Sequence, residues 1–245
     1  MSYPEPIYIA QTTSTNTSLA EICDRGETAN LSSVYTSFQT AGRGQRGNKW
    51  ESEQGKNLLF SIVIFPERLM AKHHFILLQI TALALYDTLS EYTDGISIKW
   101  PNDIYWRDKK ICGTLIENDL KGIYIERSIS GTGVNLNQKE FKSNAPNPIS
   151  LSQITGDTYD IETILHKILN ATEKYYRMFE EGYSTAIRQK YLNAIYRKEG
   201  LHRYKDADGE FEAAIADIEE DGRFVLQDKE GNIRKYLFKE VSYVI

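Results

Sequence analysis

The sequence predicts an α+β fold in two domains, a larger one of mixed strands and helices over residues 1–199 and a small all-β barrel over residues 200–245. Three observations predict it. Apolar, β-branched runs of strand length alternate with helical segments through the larger part. Ala71–Tyr92 repeats apolar residues at the spacing of one helix face. After Gly200 the chain changes to short alternating segments separated by acidic-residue–glycine pairs, which are hairpin signals.

The first elements are a strand, a short helix and two further strands. Ile7–Ile9 reads as a strand, and Ser18–Asp24 reads as an amphipathic helix. Ser14-Thr15-Asn16 comes shortly before that helix, and a Ser or Thr in this place is an N-cap signal. Ser33–Phe38 and Asn57–Phe65 are predicted as strands, the second of them apolar and rich in β-branched residues.

The middle of the chain reads as strands followed by helix. Gly95–Trp100 is predicted as a strand that Ile104–Trp106 continues. Lys110–Leu120 and Gly122–Ser130 follow as the two strands of a hairpin. Ile161–Glu199 is a long helical stretch, broken at a glycine near its middle. The barrel predicted after it consists of the alternating segments Glu212–Ile218, Arg223–Gln227 and Ile233–Phe238.

Composition narrows the class of protein. With 245 residues, 41% of them hydrophobic and 26% charged, the chain has ordinary globular usage. Its formal net charge of −5 argues against a general nucleic-acid binder, which would be basic. Polar residues interrupt the longest apolar run, Ile76–Leu85, and no signal peptide is visible, so we expect no membrane span. The two cysteines fit a reducing cytoplasm, and we expect neither a disulfide framework nor a structural metal site.

Three stretches concentrate glycine with basic and polar residues. Gln39–Glu53 interleaves three glycines with two arginines and a lysine, and includes Trp50. Glycines let the backbone wrap closely around a ligand, and arginines supply forked donors for phosphate or carboxylate. Lys99–Gly113 begins with Lys-Trp-Pro-Asn-Asp, and Ser130–Asn137 contains Gly-Thr-Gly-Val-Asn. The first stretch in particular predicts a site for an anionic ligand.

The order of these motifs resembles the biotin–protein ligase family. Ser-Thr-Asn, Gln-x-x-Gly-Arg-Gly-x-x-Gly-x-x-Trp, Lys-Trp-Pro-Asn-Asp, Lys-x-x-Gly and Gly-x-Gly-x-Asn follow one another within about residues 7–199, and the small barrel is also similar. The resemblance implies a mixed, largely antiparallel sheet with packed helices, like class II synthetases, and then an SH3-like barrel. It implies that ATP activates biotin to biotinyl-5′-AMP and that biotin then passes to a lysine of a carrier domain.

The resemblance also implies a biotin-binding set. Its members are Ser14, Thr15, Asn16, Gln39, Gly42, Arg43, Gly44, Lys110 and Gly113. The first four carry compact donor and acceptor groups, which suit the uncharged ureido group of biotin. For Ser14 or Thr15 the residues alone favour a simpler interpretation, capping of the following helix. A glycine-rich loop on its own is likewise more often a turn.

Three residues are implied as catalytic: Lys110, Asp103 and Arg43. Lys110 matches the lysine of Lys-x-x-Gly and would bridge the biotin carboxylate and the α-phosphate. Asp103 would orient the attacking lysine or accept its proton, because an ammonium group is not a nucleophile. Without the other motifs, Asn-Asp would be read as a turn. Arg43 would offset the negative charge that develops on phosphorus. Cys112 is expected to be a small buried residue.

The implied ATP-binding set surrounds the same lysine. Its members are Gln45, Arg46, Trp50, Asn102, Lys110, Gly131, Gly133 and Asn135. Taken alone, Gly-x-Gly-x-Asn is a common loop composition, and Trp50 and Trp100 fit core positions as well as ligand-binding ones. Gln45 departs from the family, which commonly has arginine there, and this bears on how tightly the acyl-adenylate is held.

Cofactors and partners follow from the resemblance. ATP is expected with Mg²⁺, which the nucleotide carries, so no protein metal ligands are predicted. The expected partner is a biotin carboxyl carrier protein or carrier domain, with neither nucleic acid nor membrane, and a homodimer is left open. Since Ser-Thr-Asn starts at residue 14, we expect no helix-turn-helix domain and no operator binding.

Two rival functions remain at this stage. A lipoate–protein ligase would have a related fold, but Lys-Trp-Pro-Asn-Asp and Gly-Arg-Gly favour biotin. A non-catalytic biotin-sensing protein would not need both Lys110 and Asp103.

Overall fold

The N-terminal part of the chain is built on a seven-stranded sheet. The computed structural model describes residues 3–44, 48–142 and 147–245. The strands are β1 Ile7–Thr12, β2 Ser33–Gln39, β3 Leu58–Ile64, β4 Ile96–Lys99, β5 Asp103–Trp106, β6 Lys109–Lys121 and β7 Tyr124–Val134. They lie in the order β1-β2-β3-β7-β6-β5-β4, with β1 and β2 parallel and all other neighbours antiparallel. The mixed, largely antiparallel sheet predicted from the sequence is confirmed.

Long helices cover one face of this sheet, which we call the core face. They are α2 Phe75–Ser90, α4 Ile161–Glu180 and α5 Ser184–Asn193. Leu77 and Leu83 of α2 are fully buried, as is Ile168 of α4 at 1% exposure. α4 begins at Asp160, whose carboxylate accepts a hydrogen bond of 2.8 Å from the backbone N–H of Thr163. These helices place the main apolar core on this side.

The opposite face, which we call the cavity face, is only partly covered. The short helix α1, Thr15–Asp24, packs there through Leu19 and Ile22 against Val63 and Ile129. Side chains alternate between the two faces along each strand. In β3, for example, Phe60 and Ile62 join the main core while Val63 joins the small cluster under α1. Space for a ligand is left beyond the first turn of α1.

A second, five-stranded antiparallel sheet occupies the C-terminal part. Its strands are β8 His202–Lys205, β9 Glu210–Ile218, β10 Phe224–Asp228, β11 Ile233–Tyr236 and β12 Ser242–Tyr243, in the order β11-β10-β9-β8-β12. This fits the small SH3-like barrel predicted there.

The two sheets meet at the turn between β4 and β5. The Trp100 ring stacks on Phe224 with ring centroids 4.8 Å apart and planes 11° apart. Trp100 Nε1 donates a hydrogen bond of 3.0 Å to the carbonyl oxygen of Gly222. The sequence left open whether Trp100 packs in the core or contacts a ligand. Trp100 is buried between the two sheets, so its role is in the core.

The structure corrects several local predictions. β5 does not continue β4; the chain reverses after Lys99, and Lys99 pairs with Asp103 across the hairpin. β7 extends to Val134, so the Gly-x-Gly pair lies in a strand and not in a loop. The helix α2 begins at Phe75 after a single 3₁₀ turn.

One short helix, α3 Leu151–Thr155, was missed in the sequence although its N-terminus carries a signal. Ser150 and Gln153 form a reciprocal capping box, the Ser-x-x-Gln pattern of a helix start. Across the described ranges, no helix is long and apolar enough to cross a membrane.

Candidate active site

A cavity of about 550 Å³ opens on the cavity face, between the start of α1, the described residues 43–44 and 48–50, and the end of β4. Its walls come from both parts of the chain, because Phe238 and Lys239 of the C-terminal part line it together with β6 and β7. Predicted site residues that line it are Ser14, Thr15, Asn16, Gln39, Arg43, Gly44, Trp50, Asp103, Lys110, Gly113, Gly131, Gly133 and Asn135.

Amide and hydroxyl groups at the start of α1 form one end of the cavity. Gln39 Oε1 accepts hydrogen bonds from the Thr15 backbone N–H at 2.8 Å and from Thr15 Oγ1 at 3.1 Å. Ser14 occupies the N-cap position, but its side chain makes no capping hydrogen bond. The capping interpretation of Ser14 is therefore wrong for its side chain, which faces the cavity instead.

Asn16 is fixed on both sides of its amide. Its Oδ1 lies 2.6 Å from the hydroxyl of Ser61, and its Nδ2 donates to Glu117 Oε2 at 2.7 Å. A Cβ at Gly131 would overlap the Asn16 amide, so only glycine lets this side chain lie flat on β7. The structure thus places Gly131, predicted for ATP, beside the residues predicted for biotin.

Residues 42–44 pair with residues 48–50 as two antiparallel arms, and we call these two arms the 42–50 hairpin. The Trp50 N–H donates to Gly42 O at 3.0 Å, and the Gly44 N–H donates to Asn48 O at 2.6 Å. Arg43 and Lys49 pair between these bonds as an antiparallel bridge. Gln45 and Arg46 lie outside the described residues, so their predicted roles stay predictions.

Trp50 lies across a pair of glycines in the sheet. Gly113 of β6 and Gly133 of β7 are direct cross-strand partners. A Cβ at Gly113 would come within 2.8 Å of the Trp50 ring, and a Cβ at Gly133 would overlap it. The two glycines therefore form a flat floor for the indole. Trp50 Nε1 is buried and has no hydrogen-bond partner among the described residues.

A carboxylate and two lysines meet at the centre of the cavity. Lys110 Nζ donates to Asp103 Oδ2 at 2.7 Å, and each side chain is a little over one quarter exposed, at 28% and 27%. Lys99, the cross-strand partner of Asp103, donates from Nζ to the hydroxyl of Tyr105 at 3.1 Å. Burial lowers the pKa of Lys99, and the negative charge of Asp103 opposes that shift. Burial raises the pKa of the Cys112 thiol, as expected for an inert buried cysteine.

Two asparagines border this centre. Asn102 is 1% exposed, and its Nδ2 lies 3.5 Å from the carbonyl oxygen of Thr114. Asn135 is 3% exposed and donates from Nδ2 to Ile149 O at 3.2 Å. Asn135 Oδ1 is buried and has no partner in the part of the chain that the structure describes. An unsatisfied acceptor facing a cavity is suited to a donor on a ligand.

Comparison with known proteins decides the family. The model of the biotin/lipoate A/B protein ligase family matches residues 8–135. The chain belongs to this family. The bifunctional ligase/repressor BirA of Bacillus spizizenii is 30% identical over 208 residues, covering 81% of this chain and 62% of that protein. The biotin–[acetyl-CoA-carboxylase] ligase of Paracoccus denitrificans is 28% identical over 207 residues, covering 81% of this chain and 85% of that protein.

A solved structure extends the likeness to nearly the whole chain. The biotin protein ligase from Aquifex aeolicus, solved in complex with biotin and ATP, superposes with a TM-score of 0.79 at 26% identity and covers 98% of both chains. The chain spans 62% of the length of the first Bacillus and Salmonella relatives that it matches.

The structure brings most of the predicted site residues together around one cavity. Every predicted residue within the described ranges except Gly42 and Asn102 lines the cavity. Gly42 contacts Trp50 and Asn102 contacts Thr114, and both of these partners line it. Sequence reasoning missed Glu117 and Ser61, which hold Asn16, and missed Lys99, Phe238 and Lys239 as lining residues. Glu117 could have been found, because it follows Gly113 at an even spacing in one strand and so shares its face.

Proposed function

We propose that this family member is a biotin–protein ligase, which converts biotin and ATP to biotinyl-5′-AMP and pyrophosphate and then transfers biotin to a lysine of a carrier domain. One observation carries the proposal: the Lys110–Asp103 ion pair, with 2.7 Å between its atoms, lies in a cavity whose two ends differ in chemistry. The names of the relatives and the biotin and ATP of the Aquifex complex support the same assignment.

The end of the cavity at α1 suits the ureido group of biotin. Ser14, Thr15 and Gln39 offer neutral donors and acceptors, which match an uncharged cyclic urea. The apolar ring and side chain of biotin would then extend along the cavity from this end. In this orientation the biotin carboxylate would point toward Lys110.

The other end suits a nucleotide. Trp50 offers an indole face of the kind on which an adenine ring stacks. Asn135 adds a polar side chain to the wall of the cavity. Mg²⁺ is proposed to enter with ATP, whose polyphosphate charge it neutralises.

Activation forms a mixed anhydride. The biotin carboxylate oxygen attacks the α-phosphorus, the bond to the bridging oxygen breaks, and pyrophosphate leaves with the electron pair. Lys110 would leave Asp103 and bridge the carboxylate and an α-phosphate oxygen, where a fixed cation stabilises the charge that builds in the transition state. Arg43 is the second cation proposed for this step.

Transfer then uses the carboxylate that Lys110 has released. The amine of the carrier lysine attacks the biotinyl carbonyl, AMP leaves, and the nitrogen loses a proton. Asp103 is proposed to accept that proton, because it lies beside Lys110 and lines the cavity.

The proposal is tested by incubating the purified chain with biotin, ATP, Mg²⁺ and an unmodified carrier domain. Mass spectrometry should find the domain heavier by one biotinyl group, and pyrophosphate should be released only when biotin is present. Release that depends on lipoate would instead identify a lipoate–protein ligase. Binding of biotin without pyrophosphate release would identify a sensing protein.

Other properties remain predictions of the sequence. We propose that the chain is not a general nucleic-acid binder, in line with its net charge of −5. The absence of operator binding, the cytoplasmic location and the homodimer that the sequence left open stay predictions.

A further inference from the structure

A continuous chain of hydrogen bonds runs along the wall of the cavity. The Thr15 backbone N–H donates to Gln39 Oε1, and the Thr15 hydroxyl lies within hydrogen-bond distance of Ser61 Oγ. Ser61 donates to Asn16 Oδ1 and Asn16 donates to Glu117, and all four distances lie between 2.6 and 2.8 Å. From Glu117 it continues to Arg43, whose Nη1 and Nη2 donate to the two carboxylate oxygens at 3.0 and 2.9 Å. The chain therefore joins the start of α1 to the 42–50 hairpin.

Glu117 is the junction of this chain. Its carboxylate accepts hydrogen bonds from both Arg43 nitrogens and from Asn16 Nδ2 at 2.7 Å. A bidentate arginine–carboxylate pair fixes direction as well as distance. The pair is exposed, at 47% for Arg43 and 43% for Glu117, so its direct contribution to folding stability is small. Asn16, in contrast, is 3% exposed, which anchors the junction in the protein.

We propose that Glu117 is a positioning residue for ligand binding, which holds Arg43 and the 42–50 hairpin against the cavity in the orientation that binds biotin and its adenylate. This inference rests on the proposed function. Trp50 stands at the end of this hairpin, on the glycine floor and with Lys110 Nζ 5.9 Å from its ring centroid, whereas Arg43 in the other arm is held to β6 by this ion pair. Loss of the pair would free the Arg43 side chain from the cavity wall and would speed ligand release.

The variant Glu117→Gln keeps the size of the side chain but replaces one acceptor oxygen by a donor. That donor would face Arg43 or Asn16, which are themselves donors at this junction. Biotin should dissociate about fivefold to tenfold faster, which corresponds to the loss of about one net hydrogen bond. The thermal unfolding midpoint should stay near that of the wild type because the ion pair is exposed.

Asp119→Asn is the matched control. Asp119 lies two residues further along β6, also pairs with an arginine, Arg127 at 2.6 Å, and does not line the cavity. The same carboxylate-to-amide change there should leave biotin release unchanged. Hydrogen exchange at the amides of Gly44 and Trp50, which close the hairpin, should accelerate in Glu117→Gln and not in Asp119→Asn.

A double-mutant cycle with Arg43→Ala separates positioning from a general effect on structure. If Glu117 acts through Arg43, most of the effect of Glu117→Gln on biotin release disappears in the Arg43→Ala background. Additive effects, or a Glu117→Gln release rate equal to that of Asp119→Asn, would overturn the inference. Slower release in Glu117→Gln would also overturn it and would identify the ion pair as an inhibitory contact.

Different results would reject the proposed function and the role of Glu117. A wild-type chain that binds no biotin and forms no adenylate rejects the proposed function. A wild-type chain that forms the adenylate, with Glu117→Gln behaving like the control, rejects only the role of Glu117.

Discussion

The two faces of the seven-stranded sheet use the same strands for opposite purposes. At one register position of the β6–β7 pair, Cys112 and Val134 face the helices and are fully buried. At the next position, Gly113 and Gly133 face the cavity and support Trp50. On one face the strands' own side chains fill the space, whereas on the other the absence of a Cβ makes room for a side chain from elsewhere in the chain. Stability and ligand binding are thereby assigned to alternate residues of one hairpin.

The difference implies that substitutions on the two faces should have separable effects. On the core face they should change the free energy of unfolding and leave the Michaelis constants alone. On the cavity face they should change binding or chemistry with little effect on folding.

Lys110→Ala should give the largest effect on the cavity face. We expect biotin-dependent pyrophosphate release to fall by about 100-fold to 1,000-fold, as when a preorganised partner of the developing charge is removed. The fold should be retained because the side chain is 28% exposed. Lys109→Ala, an exposed neighbour in the same strand, is the control and should be silent. Release at a near wild-type rate in Lys110→Ala would contradict the assignment.

Asp103→Asn should separate the two half-reactions. Transfer from preformed biotinyl-adenylate to the carrier domain should slow by about 100-fold, the lower range for loss of a general base. Adenylate formation should be less affected, because Asp103 releases Lys110 before that step. Single-turnover measurements of each half-reaction check this. Equal losses in both would show that Asp103 acts on the nucleotide instead.

Leu83→Ala tests the core face. Leu83 is fully buried in α2, so the cavity left by truncation should lower the free energy of unfolding by about 2–5 kcal/mol. Denaturant unfolding measures this value. The Michaelis constants for biotin and ATP of the folded variant should match the wild type, and a change in either would break the separation between the faces.

A pair of glycine substitutions sharpens the comparison within the cavity face. A Cβ at Gly131 would displace Asn16, and a Cβ at Gly133 would displace Trp50. We expect Gly131→Ala to raise the Michaelis constant for biotin and Gly133→Ala to raise that for ATP. Each rise should be about tenfold, if a side chain must leave its rotamer at a cost of about 1 kcal/mol or slightly more. Identical effects of both substitutions on both substrates would contradict this division of the cavity.

Much of this fold could be predicted from the sequence because its periodicities are strong. The strand at Leu58–Ile64, the hairpin of β6 and β7 and the long helices all follow from local patterns. The reversal after Lys99 could not be seen in the same way. Two short runs on either side of a Pro-Asn pair fit a continued strand and a hairpin equally well.

The sequence predicted which residues belong to the site better than it predicted which of them contact each other. The glycines, Lys110 and Asp103 stand in recognisable motifs, and all but Gly42 line one cavity. Gly131 makes room for Asn16, and Gly133 makes room for Trp50. This arrangement depends on the register of β6 and β7 and on where the chain around Asn16 and around Trp50 packs on them, which local sequence does not give. Glu117 has no motif of its own, and its importance is visible only once Arg43 and Asn16 are placed beside it.

The stacking of Trp100 on Phe224 has a consequence for cooperativity. Composition changes near Gly200, yet the aromatic cluster and the Trp100–Gly222 hydrogen bond join the two sheets at the turn that precedes Asp103. In addition, a Cβ at Gly222 would come within 2.5 Å of the Phe75 ring at the start of α2. Units joined through buried aromatic contacts of this kind unfold together. We therefore expect the C-terminal sheet and the segment that carries Asp103 to melt in a single transition.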